Sequence, residues 1–182
     1  QNPERRCREC PDKESNLAHM LQTCPRTHGM RVERHNDLVD GLRRGLERKG
    51  YQVKLEPHVK QGNTFLKPDM VAQKGKSFVI LDPTIVADNA SFSERHTQKE
   101  ERYNVDCVRQ FCESEADNTG GVGPIKFSVE GLIIDWRGCW SRRSRKTLLM
   151  LGLTKGYIDL MSVKVLVWGK RIFSCQAMRT DF

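Results

Sequence analysis

The 182-residue sequence predicts an α/β fold, with a core of helix, three strands, helix and strand, preceded by a cysteine-rich appendage and followed by a helical tail. Three observations carry that expectation. The apolar residues change from a period of three to four to a period of two after Gly50. The run Phe78-Val79-Ile80-Leu81 is apolar on both faces, as in a strand covered on each side. The first thirty residues hold three of the seven cysteines and little apolar matter.

Residues 1–30 are too polar to fold without an internal staple. From Arg34 to Lys49, Leu38, Val39, Leu42 and Leu46 recur at helical spacing, and Gly50 stands where a C-terminal cap belongs. Gly41 and Gly45 count against that helix. Tyr51, Val53 and Leu55 alternate with polar residues as a first strand. Asp69 to Gln73 makes a second, Lys74-Gly75-Lys76 a turn, and Ser77 to Val86 a third. Ser91 and Glu94 form a capping-box pair that opens a helix running to about Cys112. Glu113 to Gly123 reads as a loop, Ile125 to Val129 as a fourth strand, and the chain from Ser141 as two helices split near Gly152 to Gly156. The expected division is 1–30 as appendage, 31–135 as core and 136–182 as a basic helical tail.

Lysine and arginine number 31 against 23 acids, a net charge of +8, so a polyanion is the leading class of partner. At 37% hydrophobic and 30% charged residues, in patterned runs, the chain has enough apolar matter for a core. No apolar run approaches the roughly 18–20 residues that span a bilayer, and no signal peptide opens the chain, so neither a membrane protein nor a secreted one is expected. Starting at Gln1 without an initiator methionine, the sequence reads as a piece of something longer. An odd number of cysteines without a secretory signal favours metal ligation in a reducing compartment over disulfides.

Cys7-Arg8-Glu9-Cys10 places two thiols on one tight turn, and His19 and Cys24 follow on or beside a short helix, Leu17 to Thr23. Four such ligands suit tetrahedral Zn²⁺ and supply the missing staple. His28, four residues beyond Cys24, is a rival for the histidine position. Cys107, Cys112, Cys139 and Cys175 have no partner at ligand spacing and are expected to be small buried apolar residues.

A second constellation lies on the strands. Asp69 in Lys67-Pro68-Asp69 stands at the start of one hairpin strand and Asp82 inside the other, which brings two carboxylates to one end of a sheet. Like charges there require a cation, and a carboxylate in an apolar strand is costly unless compensated, so the pair reads as a Mg²⁺ site. Glu33 and Glu56 are weaker candidates for a further acidic ligand. On the next helix Phe92, His96, Lys99 and Tyr103 share one face, which looks toward the carboxylates, with Val105, Val108 and Cys112 on the other. Arg137, Arg142, Arg143, Arg145 and Lys146 form a basic run without an acid, interleaved with Trp140, and are expected to contact phosphates. Arg34 and His35 at the start of the first helix, and Lys67 beside Asp69, are expected to do the same.

The series Cys-x-x-Cys, Leu17-Ala18-His19-Met20-Leu21-Gln22, Cys24, Thr27-His28, Arg34-His35-Asn36, Glu56-Pro57, Lys67-Pro68-Asp69, Asp82 and His96-x-x-Lys99-x-x-x-Tyr103 resembles the C-terminal part of site-specific non-long-terminal-repeat retrotransposon proteins that insert into ribosomal RNA genes. Arg137-Gly138-x-Trp140 and Leu151-Gly152-Leu153 continue it. The resemblance implies a Cys-Cys-His-Cys zinc knuckle and a restriction-endonuclease-like core of the PD-(D/E)xK type, with a mixed sheet flanked by helices, downstream of a reverse transcriptase. It implies that Asp69 and Asp82 hold Mg²⁺ and that Lys99 is a catalytic lysine moved from strand to helix. Thr84 stands two residues after Asp82, where many such nucleases keep that lysine. Pro83 departs from the pattern and suggests an edge or a bend in the strand.

The function so implied is Mg²⁺-dependent nicking of double-stranded ribosomal-gene DNA in the nucleus, specifically the nucleolus. The nick leaves a 3′ hydroxyl that primes reverse transcription of the element's RNA, itself a candidate second partner. Tyr103 is expected to position Lys99 or the DNA backbone. Two other readings stay open: a catalytically silent nucleic-acid-binding module, and a junction-resolving nuclease on the same core.

Overall fold

The computed structural model describes residues 6–177 apart from 8, 88–89 and 119–123, with backbone alone at 117–118 and 176–177. Its main sheet is mixed and four-stranded: β1 (Gln52–Leu55), β4 (Met70–Lys74), β5 (Ser77–Val86) and β6 (Lys126–Asp135), in the order β1-β4-β5-β6. β1, β4 and β5 pair antiparallel, and β5 pairs parallel with β6. A parallel pair needs a long crossover, which here carries α3 (Phe92–Tyr103) and α4 (Asp106–Asn118).

The sheet is covered on both faces, which explains the continuous apolar run in β5. One cluster joins Leu38, Leu42 and Leu46 of α2 (His28–Glu47) to Met70, Leu81, Leu132 and Ile134 of the sheet. The same cluster takes in Leu148 of α5 (Arg142–Met150) and Ile158, Met161 and Val165 of α6 (Lys155–Ala177). The opposite cluster joins Val71, Phe78, Ile80 and Val129 to Tyr103 of α3 and Val108 and Cys112 of α4. The C-terminal helices therefore pack into the same core as the sheet. No helix among the described residues is long and apolar enough to cross a membrane.

Gly41 and Gly45, which weaken α2 by propensity, face α6. A Cβ at Gly41 would meet Met161 Sδ at 2.6 Å, and one at Gly45 would meet Tyr157 Cε1 at 2.5 Å. Close helix packing, sealed by Tyr157 Oη donating to the Gly41 carbonyl at 2.6 Å, is what the two glycines permit.

The structure differs from the sequence reading in five places. A separate hairpin, β2 (Val59–Gln61) and β3 (Thr64–Leu66), lies between β1 and β4, where three-residue strands give too short an alternation to register. The helix expected from Ser91 to Cys112 breaks at Asn104, whose ψ of 62° leaves the helical range. That break lets Tyr103 and Val108 reach one cluster from two helices, so no two-faced helix is needed. α4 runs on to Asn118 through the first part of the loop expected from Glu113 to Gly123, of which 119–123 lie outside the described residues, and β6 runs on to Asp135. Cys139 and Cys175 are exposed rather than buried, since each lies on an outward position of a turn or of α6. As expected from Pro83, β5 is bordered on one side only beyond Leu81, where β4 has ended and only β6 pairs with it. A residue without an N–H costs no ladder bond there.

The α2–α6 seam makes a stability prediction. Gly45→Ala is expected to lower stability by about 1–3 kcal/mol, overpacking outweighing alanine's helix propensity. Gly29→Ala, in the same helix with nothing within 4 Å of its Cβ, is expected to raise it by up to about 1 kcal/mol. Urea unfolding midpoints check both signs, and shifts of the same sign would contradict this account of the seam.

Candidate functional site

The appendage is built around four ligand atoms. A turn closed by Cys10 N–H to the Cys7 carbonyl at 3.2 Å presents Cys7 and Cys10. His19 lies on α1 (Leu17–Gln22), whose N-cap Asn16 accepts from the His19 N–H at 2.9 Å, and Cys24 begins a 3-10 turn, Pro25–Thr27. The Cys7, Cys10, His19 and Cys24 ligand atoms all lie within 4.8 Å of one another. Cys7 Sγ and Cys24 Sγ are 3.8 Å apart. A tetrahedron with metal–sulfur bonds of about 2.3 Å has edges of about 3.8 Å. His19 Nδ1 is held by Thr23 Oγ1 at 3.0 Å, while its buried Nε2 has no hydrogen-bond partner. An orphaned ring nitrogen beside three thiols is the donor set of a zinc knuckle, so the cluster can hold a metal such as zinc. His28 is exposed and lies outside the cluster.

The register Met70↔Leu81 sets Asp69 across from Asp82 one step beyond the last β4–β5 pair. Asp82 is 3% exposed. Burial first, and then the neighbouring Asp69, push its carboxyl up from the ordinary range, opposed by Lys99 and Tyr103. Lys99 Nζ reaches from α3 to Asp82 Oδ1 at 2.6 Å. Tyr103 donates to the Lys67 carbonyl at 3.0 Å and so pins the strand end that carries Asp69. His35 Nε2 approaches Asp69 Oδ2 at 3.4 Å. His96, one turn before Lys99, is buried and bonded through Nε2 to Ser141 Oγ at 2.8 Å, which fixes α3 against the start of α5. Burial, and then Arg143, lower its pKa.

Asp69, Asp82, Lys99 and Tyr103 line one cleft of about 480 Å³, together with His28, Arg31, Arg34, His35, Lys67 and Arg102, whereas His96 stands behind it. The cations outnumber the carboxylates. Arg34 is 2% exposed, donates to the Leu21 carbonyl at 3.0 Å, and has its pKa pushed down to about 10 by burial and then by Arg31. Arg31 bonds the Gln22 and Cys24 carbonyls, so both arginines tie the cysteine-rich appendage to the cleft. Sequence spacing gave no sign of Arg31 or Arg102. Thr84 also lines the cleft, two residues beyond Asp82.

The remaining candidates stand elsewhere. Glu33 is exposed and does not line the cleft, whereas Glu56, whose N–H donates to the Asp69 carbonyl at 3.0 Å, lines an adjoining hollow with Asp69. Arg143 pairs with Glu100 and Glu130, and Arg145 with Asp159 at 3.1 Å. Arg142 and Lys146 are exposed at the start of α5, and Arg137 lies over the Trp136 ring at 4.9 Å.

No family model matches the chain. It is 35% identical over 90% of its length to the Pol polyprotein of the retrotransposable element R2DM of Drosophila melanogaster, of which it covers 15%. It is 33% identical over 83% of its length to the R2 Pol polyprotein of Nasonia vitripennis, of which it covers 14%. An R2 Pol polyprotein of Popillia japonica is 29% identical over 98% of the chain, which covers 36% of that relative. A solved protein of unknown function, AF1548, aligns at 12% identity and a TM-score of 0.33, too loosely to define the fold. The relatives are Pol polyproteins of retrotransposable elements. More particularly, the chain is a region of an R2-type non-LTR retrotransposon protein.

The knuckle yields a metal prediction. The purified chain is expected to carry about one Zn²⁺, lost in His19→Ala and kept in His28→Ala, with release by chelator unfolding the appendage. Metal analysis of the three proteins checks this, and zinc retained by His19→Ala would transfer the fourth ligand position to another residue.

Proposed function

We propose that this region is a restriction-like, Mg²⁺-dependent DNA endonuclease that nicks a ribosomal-gene target to prime reverse transcription by the larger element protein. The observation that carries this reading is Asp69, just before β4, set across from Asp82 on β5, beside Lys99, in a cleft whose other charged side chains are cationic. Such a pair is wrong for holding a phosphate by itself, because two carboxylates repel it. It suits a phosphate that arrives with a divalent cation.

Asp69 and Asp82 supply hard oxygen ligands at the end of a sheet, which fits Mg²⁺, and Glu56, which lines the adjoining hollow with Asp69, is the candidate further ligand. Bound there, Mg²⁺ lowers the pKa of a coordinated water and offsets phosphate charge. The chain's own groups do the rest. Lys99, held at Asp82, donates toward the attacking water or a non-bridging oxygen where charge grows in the transition state. Tyr103 keeps Asp69 in place through the Lys67 carbonyl. Arg31, Arg34, His35, Lys67 and Arg102 give the cleft walls a positive field for the DNA backbone. Arg142 and Lys146, with Arg137, extend that surface over the start of α5, while Arg143 and Arg145 are largely neutralised by their acids. A linked reverse transcriptase and a nuclear, nucleolar site of action follow from the same reading.

The test separates binding from chemistry. Asp69→Ala and Asp82→Ala are expected to lower Mg²⁺-dependent nicking by orders of magnitude, with DNA affinity in Ca²⁺ equal or higher. Lys99→Ala is expected to lose most nicking with at most a small loss of affinity. Full activity in both aspartate variants would overturn the nuclease reading and leave a nucleic-acid-binding module. Symmetric cutting of four-way junctions in preference to duplex would favour a resolvase.

A further inference from the structure

Gly131 sits in the middle of β6, between the fully buried Leu132 and the half-buried Glu130, in a strand whose other buried positions Val129, Ile133 and Ile134 are bulky. Its backbone lies outside the left-handed range, so conformation alone does not demand a glycine there. Glycine inside a strand weakens it, and a close approach is the usual reason for one.

The approach is made by Lys99. In the β5–β6 register Gly131 is the partner of Asp82, and paired residues on parallel strands send their side chains to the same face. α3 packs on β6, so a lysine on α3 must cross β6 to reach a carboxylate on β5. A Cβ placed on Gly131 would stand 3.1 Å from Lys99 Cβ and 3.2 Å from Lys99 Cγ. Both contacts are with the root of the lysine side chain, which the α3 backbone fixes. The far end cannot swing away to relieve them.

We infer that Gly131 is a positioning residue for the proposed nuclease: the missing side chain opens the channel through which the Lys99 stem reaches Asp82, and any side chain there displaces the lysine. The inference rests on the nuclease reading for its catalytic consequence but not for its geometry. It also supplies the physical condition for a helix-borne lysine. With Thr84 in the strand position two after Asp82, the ammonium at Asp82 comes from across β6, and a residue without a Cβ leaves its stem room to pass.

The experiment compares wild type, Gly131→Ala, Lys99→Ala and the double variant. Lys99 reactivity toward an amine-acylating reagent, read by peptide mass, reports its placement without any need for activity. Nicking kinetics and DNA affinity in Ca²⁺ report the consequence. In Gly131→Ala, Lys99 is expected to be acylated several-fold faster and kcat to fall on the order of ten- to a hundredfold, with KM and DNA affinity little changed. Adding Gly131→Ala to Lys99→Ala is expected to cost no further activity, because the residue acts through the lysine. Unchanged acylation and kcat in Gly131→Ala would overturn the inference. So would an additional loss in the double variant as large as in the single one, the mark of a general structural role. Should Gly131→Ala fail to fold, recovery of folding when it is combined with Lys99→Gly, which removes both stem atoms, would uphold the contact with the lysine stem, and failure of that pair as well would overturn it. If wild type does not nick, the nuclease reading falls, and the acylation rates alone decide whether Gly131 places Lys99.

Discussion

Two carboxylates held side by side at the open end of a sheet are the constraint around which this fold is arranged. An aspartate that is 3% exposed, with a second aspartate across from it, is unfavourable in the folded chain unless positive charge is brought to it. The antiparallel β4–β5 register creates the problem by aligning Asp69 with Asp82. The long crossover answers part of it, because α3 crosses over β6 and delivers Lys99 to Asp82 at 2.6 Å. Asp69 has His35 beside it at 3.4 Å, and the two carboxylates together offer hard oxygen ligands for which a divalent cation is the natural complement.

The other side of the cleft is built with the cysteine-rich appendage. Arg31 and Arg34 rise from the first turns of α2 and are held by carbonyls of Leu21, Gln22 and Cys24, at the end of α1 and at one corner of the Cys/His cluster. Buried guanidinium groups without a carboxylate partner are costly, and that cost makes sense where an anion is to be received. The Cys7–Cys10–His19–Cys24 cluster thus does more than close a small loop, since the carbonyls it fixes also fix the positive wall. In this arrangement the knuckle and the α/β body are two walls of a single cleft.

Much of this was legible in the sequence because it is local or periodic. The four ligands of the knuckle, the α2 helix, the β4–β5 hairpin and the His96, Lys99, Tyr103 face are all set by spacings within about twenty residues. The choice between His19 and His28 was not, because both lie at ligand spacing and only burial of the His19 ring decides it. The β2–β3 hairpin escaped notice because strands of three residues carry almost no alternation. The basic run at the start of α5 looked uniform in sequence, yet Arg143 and Arg145 are paired with acids that lie 13 to 43 residues away, which no local pattern reveals. The glycines taught the same lesson in reverse. Gly41 and Gly45 counted against a helix by propensity, and Gly131 drew no attention, until tertiary contacts with Met161, Tyr157 and Lys99 gave each one a reason.

The central claim is that Asp69 and Asp82 form a divalent-cation site. Anomalous diffraction from crystals soaked in Mn²⁺, a Mg²⁺ surrogate with a usable absorption edge, tests it without reference to activity. A manganese peak is expected between Asp69 and Asp82, lost in crystals of Asp82→Ala. Manganese bound elsewhere, with Lys99 still closed on Asp82 and no density between the aspartates, would contradict it.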